Sequence, residues 1–237
     1  MAGDTTAPGM RLYRQVADRV ARIIADEALK PGTRLPPERE LAARLNVARS
    51  TLREAMIALE ISGQVTIRTG SGIYVTEAAA SAEDDLGPSP LELLDARELI
   101  EGEIAARAAM SIDANRLMAI EASIEAMAKA HEPDTHREAD RAFHVGLAEA
   151  TRIDPLVSIV DNLWSQMFSP IFERMGVLTG LFGDPDDTAL RHHRLILDAL
   201  AARDAELCRA RMQAHLIDVR RVLLRASAFS SDTPGNS

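Results

Sequence analysis

Leu12, Val16, Val20, Ile23 and Ile24 recur at helical spacing while Arg11, Arg14, Arg19 and Arg22 fall off that stripe, so residues 12–29 are predicted to form an amphipathic helix. Lys30-Pro31-Gly32 ends it. Pro36-Pro37 opens a second helix whose buried side is Leu41, Ala42 and Leu45, because proline is tolerated in a first helical turn. After Asn46-Val47 a third helix is predicted from about Ala48 to Ile61, with Leu52, Ala55, Met56 and Leu59 inward and Ser62-Gly63 as its stop. Val65 and Ile67, then Ile73 and Val75, alternate with polar residues on either side of Gly70-Ser71-Gly72, the pattern of a short β-hairpin. Three helices followed by a hairpin make a winged helix-turn-helix.

Residues 78–90 lack apolar periodicity and carry Gly87, Pro88 and Pro90, which predicts a linker. Beyond it the period is helical throughout, over about 91–110, 113–131, 134–151, 154–174, 186–202 and 204–228. The fold class is therefore mainly α, a winged helix-turn-helix over 11–77 and an all-α antiparallel bundle of about six helices over 91–228. Residues 1–10 and 229–237 are predicted to be disordered tails.

Composition adds three limits. Aromatic residues are only 3% of the 237, and no run approaches the length of a membrane span or a signal sequence, which predicts a cytoplasmic protein with no membrane partner. The single cysteine, Cys208, excludes an internal disulfide and a thiolate zinc cluster. The net charge of −9 divides unevenly: residues 1–76 hold 11 Lys and Arg against 8 Asp and Glu, and the remainder holds 16 against 28. A basic head would be drawn to phosphates, and an acidic body would be repelled by them.

Arg49, Ser50 and Arg53 stand at the start of the third helix on the face opposite Leu52 and Met56, where a recognition helix presents side chains to the major groove. Arginine can donate two hydrogen bonds to a guanine, and Ser50 and Thr51 are short enough to bond phosphate or a base edge. Arg39 on the second helix is placed to reach backbone or base. Arg68, Thr69 and Gly70 sit at the hairpin tip, where glycine allows close approach to phosphate. The alternative is a solvated arginine face; against it stands the coincidence in three consecutive elements.

The runs Arg34-Leu35-Pro36-Pro37-Glu38-Arg39-Glu40-Leu41-Ala42, Val47-Ala48-Arg49-Ser50-Thr51-Leu52-Arg53-Glu54-Ala55 and Gly70-Ser71-Gly72-Ile73-Tyr74-Val75 resemble the DNA-binding domain of the GntR family of transcription regulators. The resemblance implies that Arg39, Arg49 and Arg53 read bases and that Thr69 and Gly70 form the wing-tip contact. A single module makes too few base contacts for regulatory affinity, which predicts a homodimer on a palindromic double-stranded operator. One departure is Ala48, where the family usually has a serine to cap the recognition helix; its absence costs about 1 kcal/mol or leaves capping to Asn46.

In the bundle Asp140 and His144 share a helix face at i, i+4, and His193 and His215 lie on the last two helices. Spacing alone leaves two readings open, a divalent-metal site or polar bundle residues that bond one another. Asp140-Arg141-Ala142-Phe143-His144 resembles the Asp-x-x-Phe-His signature of the FCD subgroup of GntR regulators, and His193 and His215 fall where that subgroup has its other two metal-binding histidines. The resemblance implies a divalent metal of the Zn, Ni or Mn class at these four residues, and leaves His131, His136 and His192 as surface residues. Arg97 either points into the pocket and clasps an effector carboxylate or is a surface residue paired with Glu101. Trp164 is core, dimer interface or a pocket wall that stacks on a sugar.

Arg11-Leu12-Tyr13, Gly87 through Arg97 and Leu163-Trp164-Ser165-Gln166-Met167 are similar to the repressors of hexuronate breakdown within that subgroup. The expected function is a repressor of carbohydrate-acid catabolism released from its operator by a small sugar-acid effector. The alternatives are a metal-dependent hydrolase using the Asp/His site and an architectural DNA binder without effector. The chain carries no HExxH helix, nucleophile elbow or Gly-rich phosphate loop, and an enzyme would leave the winged helix unexplained.

Overall fold

Tyr13, Val16, Ala17 and Val20 form the buried stripe of α1 (Leu12–Asp26), whereas Leu12 is 53% exposed and Ile23 and Ile24 are half-buried. The stripe is thus turned by one position from the predicted one at its start. A tyrosine can take the inward place because its hydroxyl donates to the Gly87 carbonyl at 2.8 Å, so no buried polar atom is stranded. In the computed structural model, residues 11–77, 85–181 and 188–225 are described. They fall into two units: one runs to Pro90 and takes in Ser169–Thr179 and the chain from Leu224, the other is Leu91–Phe168 with Gly180–Leu223.

The first unit holds α1, α2 (Glu38–Leu45), α3 (Arg49–Ile61) and the hairpin of β1 (Val65–Arg68) and β2 (Gly72–Val75). The strands pair antiparallel with Val65 opposite Val75 and Ile67 opposite Ile73, all four buried. That register puts alternate side chains on one face, as the period-two pattern requires. Residues 32–35 run beside β2, with Leu35 N–H donating to Ile73 O and Gly32 N–H to Val75 O, each at 2.8 Å. Asn46 closes α2 in the left-handed conformation at φ 53, and Ala48 begins α3 without a side-chain cap, so Asn46 does not cap α3.

The helix predicted over 154–174 is two helices, α7 (Asp154–Gln166) and α8 (Pro170–Thr179). Pro170 has no N–H to continue the ladder and pushes Ser169 away from helical angles, so one helix stops and the next starts on the proline. Gly176, predicted to lie in the following loop, is inside α8, which buries Ile171, Phe172 and Met175. Past residue 90 the described residues therefore hold seven helices, not six. α8 packs on α3, and Arg174 clasps Glu60 through Nε at 2.7 Å and Nη2 at 3.0 Å.

The described end of the predicted linker is pinned within this unit. Besides the Tyr13 bond, Arg11 pairs with Asp85, Ile171 N–H donates to Leu86 O at 3.2 Å and Ser89 Oγ donates to the buried Glu54 at 2.6 Å. Residues 78–84, the tail of residues 1–10 and the tail from 229 lie outside the described residues.

The second unit is an all-helical bundle of α4 (Pro90–Ser111), α5 (Ala114–Lys129), α6 (Pro133–Ala150), α7, α9 (Thr188–Ala201) and α10 (Ala205–Leu223). α5 packs on α6 and α9, α6 on α7, and α9 on α10. Its core is Ile104, Ala105, Ile120, Ile124, Phe143, Leu147, Val160, Ile196 and Met212. No described helix is long and apolar enough to cross a membrane.

Two glycines with similar φ separate strain from crowding. Gly32 at φ +84 faces open space, whereas a Cβ on Gly87 at φ +94 would lie 2.3 Å from Ser169 Cβ. Gly32→Ala is expected to cost about 1 kcal/mol and Gly87→Ala about 3 kcal/mol, read from urea denaturation; equal costs would show that the close approach is not needed.

Candidate nucleic-acid interface and metal centre

At the predicted DNA-reading face, Arg39 is exposed on α2, and Arg68, Thr69 and Gly70 are exposed at the hairpin tip. The Arg68 guanidinium stands 4.7 Å over the Tyr74 ring, which stiffens a long side chain at the tip, and Gly70 takes φ +72 in the turn. Arg49 is exposed at the start of α3, with Ser50 and Thr51 half-buried beside it.

Arg53 differs from its expected place on an open helix face. Its side chain is 6% exposed, because every residue from Leu52 to Leu59 is buried and α1, α2, β1 and α8 all pack on α3. Only the first turn of α3 is open. Glu38 holds both arginines, accepting from Arg49 Nε at 2.9 Å and from Arg53 Nε at 3.0 Å, and Arg53 Nη1 also donates to Leu224 O at 2.8 Å. Glu38 is a residue that sequence reasoning missed, although it stands in the quoted Pro-Pro-Glu-Arg run.

In the bundle, three helices bring the predicted ligand residues together. α6 supplies Asp140 and His144, α9 supplies His193 and α10 supplies His215. The ligand atoms of the three histidines all lie within 4.8 Å of one another. Asp140 Oδ1 is 3.4 Å from His144 Nε2 and 3.5 Å from His193 Nε2, and His193 Nε2 is 3.3 Å from His215 Nε2. All three rings are buried, and the Phe143 ring lies 4.2 Å from that of His193.

Of the other three histidines, His192 is tied to a carboxylate. It is half-buried, with Nε2 3.3 Å from Asp218 Oδ2. His131 is exposed and His136 half-buried.

The residues suit a divalent cation on two observations. Burial pushes the His193 ring down to about 3, against the pull of Asp140, and burial with its imidazole neighbours lowers His215 well below the usual histidine value, so both carry free lone pairs. Asp140 Oδ1 is buried with no hydrogen-bond donor, a carboxylate oxygen left open to a cation. Three imidazole nitrogens and one carboxylate are the donor set of borderline divalent ions.

Glu101 on α4 was also missed. It is 2% exposed, and His144 Nδ1 stands 2.5 Å from its Oε2, so an Nδ1–H donated there leaves His144 Nε2 as the lone pair facing Asp140. Burial raises the Glu101 carboxyl, yet Arg97 and His144 prevail and keep it at about 2. On His144 burial acts downward and the Glu101 charge prevails, raising it. Arg97 combines parts of both readings: it is paired with Glu101 at i, i+4, Nε to Oε1 at 2.6 Å, but is 1% exposed inside the bundle. Its guanidinium lies 4.3 Å over Trp164, whose ring is 4.9 Å from His144 and whose Nε1 is buried without a hydrogen-bond partner.

Residues 12–75 match the pattern of the bacterial regulatory proteins of the gntR family, and residues 92–218 match the FCD domain. The chain belongs to the GntR family. It is 33% identical to the Uxu operon transcriptional regulator of Escherichia coli (strain K12) over 232 residues, spanning 92% of this chain and 88% of that one. It is 32% identical to the Exu regulon transcriptional regulator of the same strain, over 92% of this chain and 86% of that one. Among solved structures, E. coli McbR/YncC shares the fold, with a TM-score of 0.50 at 22% identity over 90% of this chain and 97% of that one. This GntR-family chain is therefore a DNA-binding transcription regulator with an effector domain, not an enzyme.

Removal of Glu38 should expose the difference between a buried and an open ion pair. Glu38→Ala is expected to cost about 3 kcal/mol, since it leaves the buried Arg53 charge short of its partner, while Arg44→Ala, which breaks an exposed pair with Glu27, should cost under about 1 kcal/mol. Urea denaturation of the two variants decides it; similar costs would mean that Arg53 finds another partner.

Proposed function

We propose that this regulator is a cytoplasmic repressor of sugar-acid catabolism that is released from its operator when a hexuronate binds at Asp140, His144, His193 and His215. The observation that carries the proposal is the convergence of these four residues from three helices around a buried carboxylate oxygen with no donor. A divalent cation held there would offer open coordination positions to a carboxylate and its neighbouring hydroxyl. The likeness to hexuronate-operon regulators supports the effector class. Trp164 and Arg97 border the site, with the indole Nε1 as a free donor for a sugar oxygen and the ring as a stacking wall.

DNA is read by Arg39, Arg49, Ser50, Thr51 and the tip residues Arg68, Thr69 and Gly70, with the buried Arg53 supporting them. A single head makes too few base contacts for regulatory affinity, so two copies act as a symmetric homodimer on a palindromic operator. Arg49, exposed at the open first turn, reads a base edge, while Arg53 acts from behind, through Glu38. An effector that binds the DNA-competent and incompetent states with different affinity lowers operator affinity by that same ratio.

Arg49→Ala should cost about 1–3 kcal/mol at its own base pair and reduce discrimination between operator and scrambled DNA; unchanged discrimination would remove Arg49 from the reading face. For the switch, calorimetry with Zn, Ni and Mn salts and operator-release assays with glucuronate, galacturonate and fructuronate compare wild type with His193→Ala. The variant is expected to lose at least tenfold in metal affinity and to stay on the operator when the acid is added. A variant that binds metal and answers the acid like wild type would show that the site is elsewhere.

A further inference from the structure

The proposed effector is an anion, so the fixed charge around it matters, and two opposite buried charges stand beside the ligand residues. Arg97 and Glu101 are each about 2% exposed and share two hydrogen bonds, Nε to Oε1 at 2.6 Å and Nη2 to Oε2 at 3.4 Å. The Arg97 guanidinium is engaged further by Met167 Sδ at 3.1 Å and by the Trp164 face. Glu101 therefore spends the positive charge of Arg97 inside the protein. Among the described residues, charged side chains of the bundle helices form pairs of their own: Asp95 with Arg220, Arg137 with Asp134, Arg141 with Asp161, and Asp218 with Arg221 and His192.

We propose that the buried Arg97–Glu101 pair sets the charge that the effector must carry: with the pair neutral, a divalent cation beside Asp140 leaves one positive charge, and the site takes a monocarboxylate in preference to a dicarboxylate or an uncharged sugar. Histidines bound to a metal are neutral and add nothing to this sum. An uncompensated charge in a buried site is strongly disfavoured, so the partner that completes neutrality is selected. The inference rests on the metal and sugar-acid reading above and deepens it. It assigns Arg97 a role through Glu101 rather than a direct clasp of the effector carboxylate.

The test is calorimetry on the full-length, metal-loaded protein with glucuronate, its uncharged amide glucuronamide, and the dicarboxylate glucarate, with bound metal measured before and after each titration. Wild type is expected to prefer glucuronate at least tenfold over each of the others. Glu101→Gln adds a positive charge and should move the glucarate-to-glucuronate affinity ratio at least tenfold toward glucarate. Arg97→Gln removes one and should favour glucuronamide by a similar factor. The double variant Arg97→Gln with Glu101→Gln restores the sum and should recover the preference of wild type, an outcome that a direct Arg97 clasp forbids. Equal wild-type affinity for glucuronate and glucarate, or loss of glucuronate binding in a folded, metal-loaded double variant, overturns the inference while leaving the sugar-acid reading intact. Binding of none of the three by metal-loaded wild type overturns both. The wild-type comparison stands on its own if a single variant fails to fold.

Discussion

A charge buried in an all-helical bundle must be matched inside the bundle, and Glu101 is where that constraint is met. Its carboxylate takes Arg97 on one side and His144 on the other, so a single group turns a guanidinium onto the face of Trp164 and fixes the ring whose far nitrogen meets Asp140. Without it, Arg97 would be an unpaired cation at 1% exposure and His144 would have no acceptor to choose its tautomer. The carboxylate and imidazole cluster of α6, α9 and α10 therefore depends on a residue of α4 that stands outside it.

The winged-helix unit meets the same constraint with three more glutamates. Glu54 takes the Ser89 hydroxyl, Glu60 takes Arg174 and the Ile67 N–H, and Glu38 takes Arg49 and Arg53. Glu54 and Glu60 join segments far apart in sequence, and Glu38 joins α2 to the helix that follows it. This explains how α3, nominally an amphipathic surface helix, is buried all round from Leu52 to Leu59 yet strands no charge. The open part contracts to the first turn, which separates an outward arginine from one that supports it.

Much of this was legible along the chain because it rests on local rules. The alternation on either side of Gly70-Ser71-Gly72 predicted the hairpin, and the i, i+4 spacing of Asp140 and His144 put both on one face of α6. What sequence reading missed depends on tertiary partners. Arg97 and Glu101 at i, i+4 look the same on an open helix as inside a bundle, and only the second places Glu101 against His144. Tyr13 displaced Leu12 from the α1 stripe because Gly87, 74 residues away, offers its carbonyl. The break at Pro170 follows a local rule, but Met167, Phe168, Ile171 and Phe172 continue the apolar period across it and hide the stop.

That break also has a structural use. Pro170 lacks the N–H that a continuous helix needs there, so α7 ends at Gln166 and α8 begins afresh on the proline, burying Ile171, Phe172 and Met175. Trp164 and Met167, just before the break, remain with Arg97 in the bundle, and Arg174, just after it, reaches Glu60. One apolar stretch is therefore divided by a local rule into two helices, each packed within its own unit.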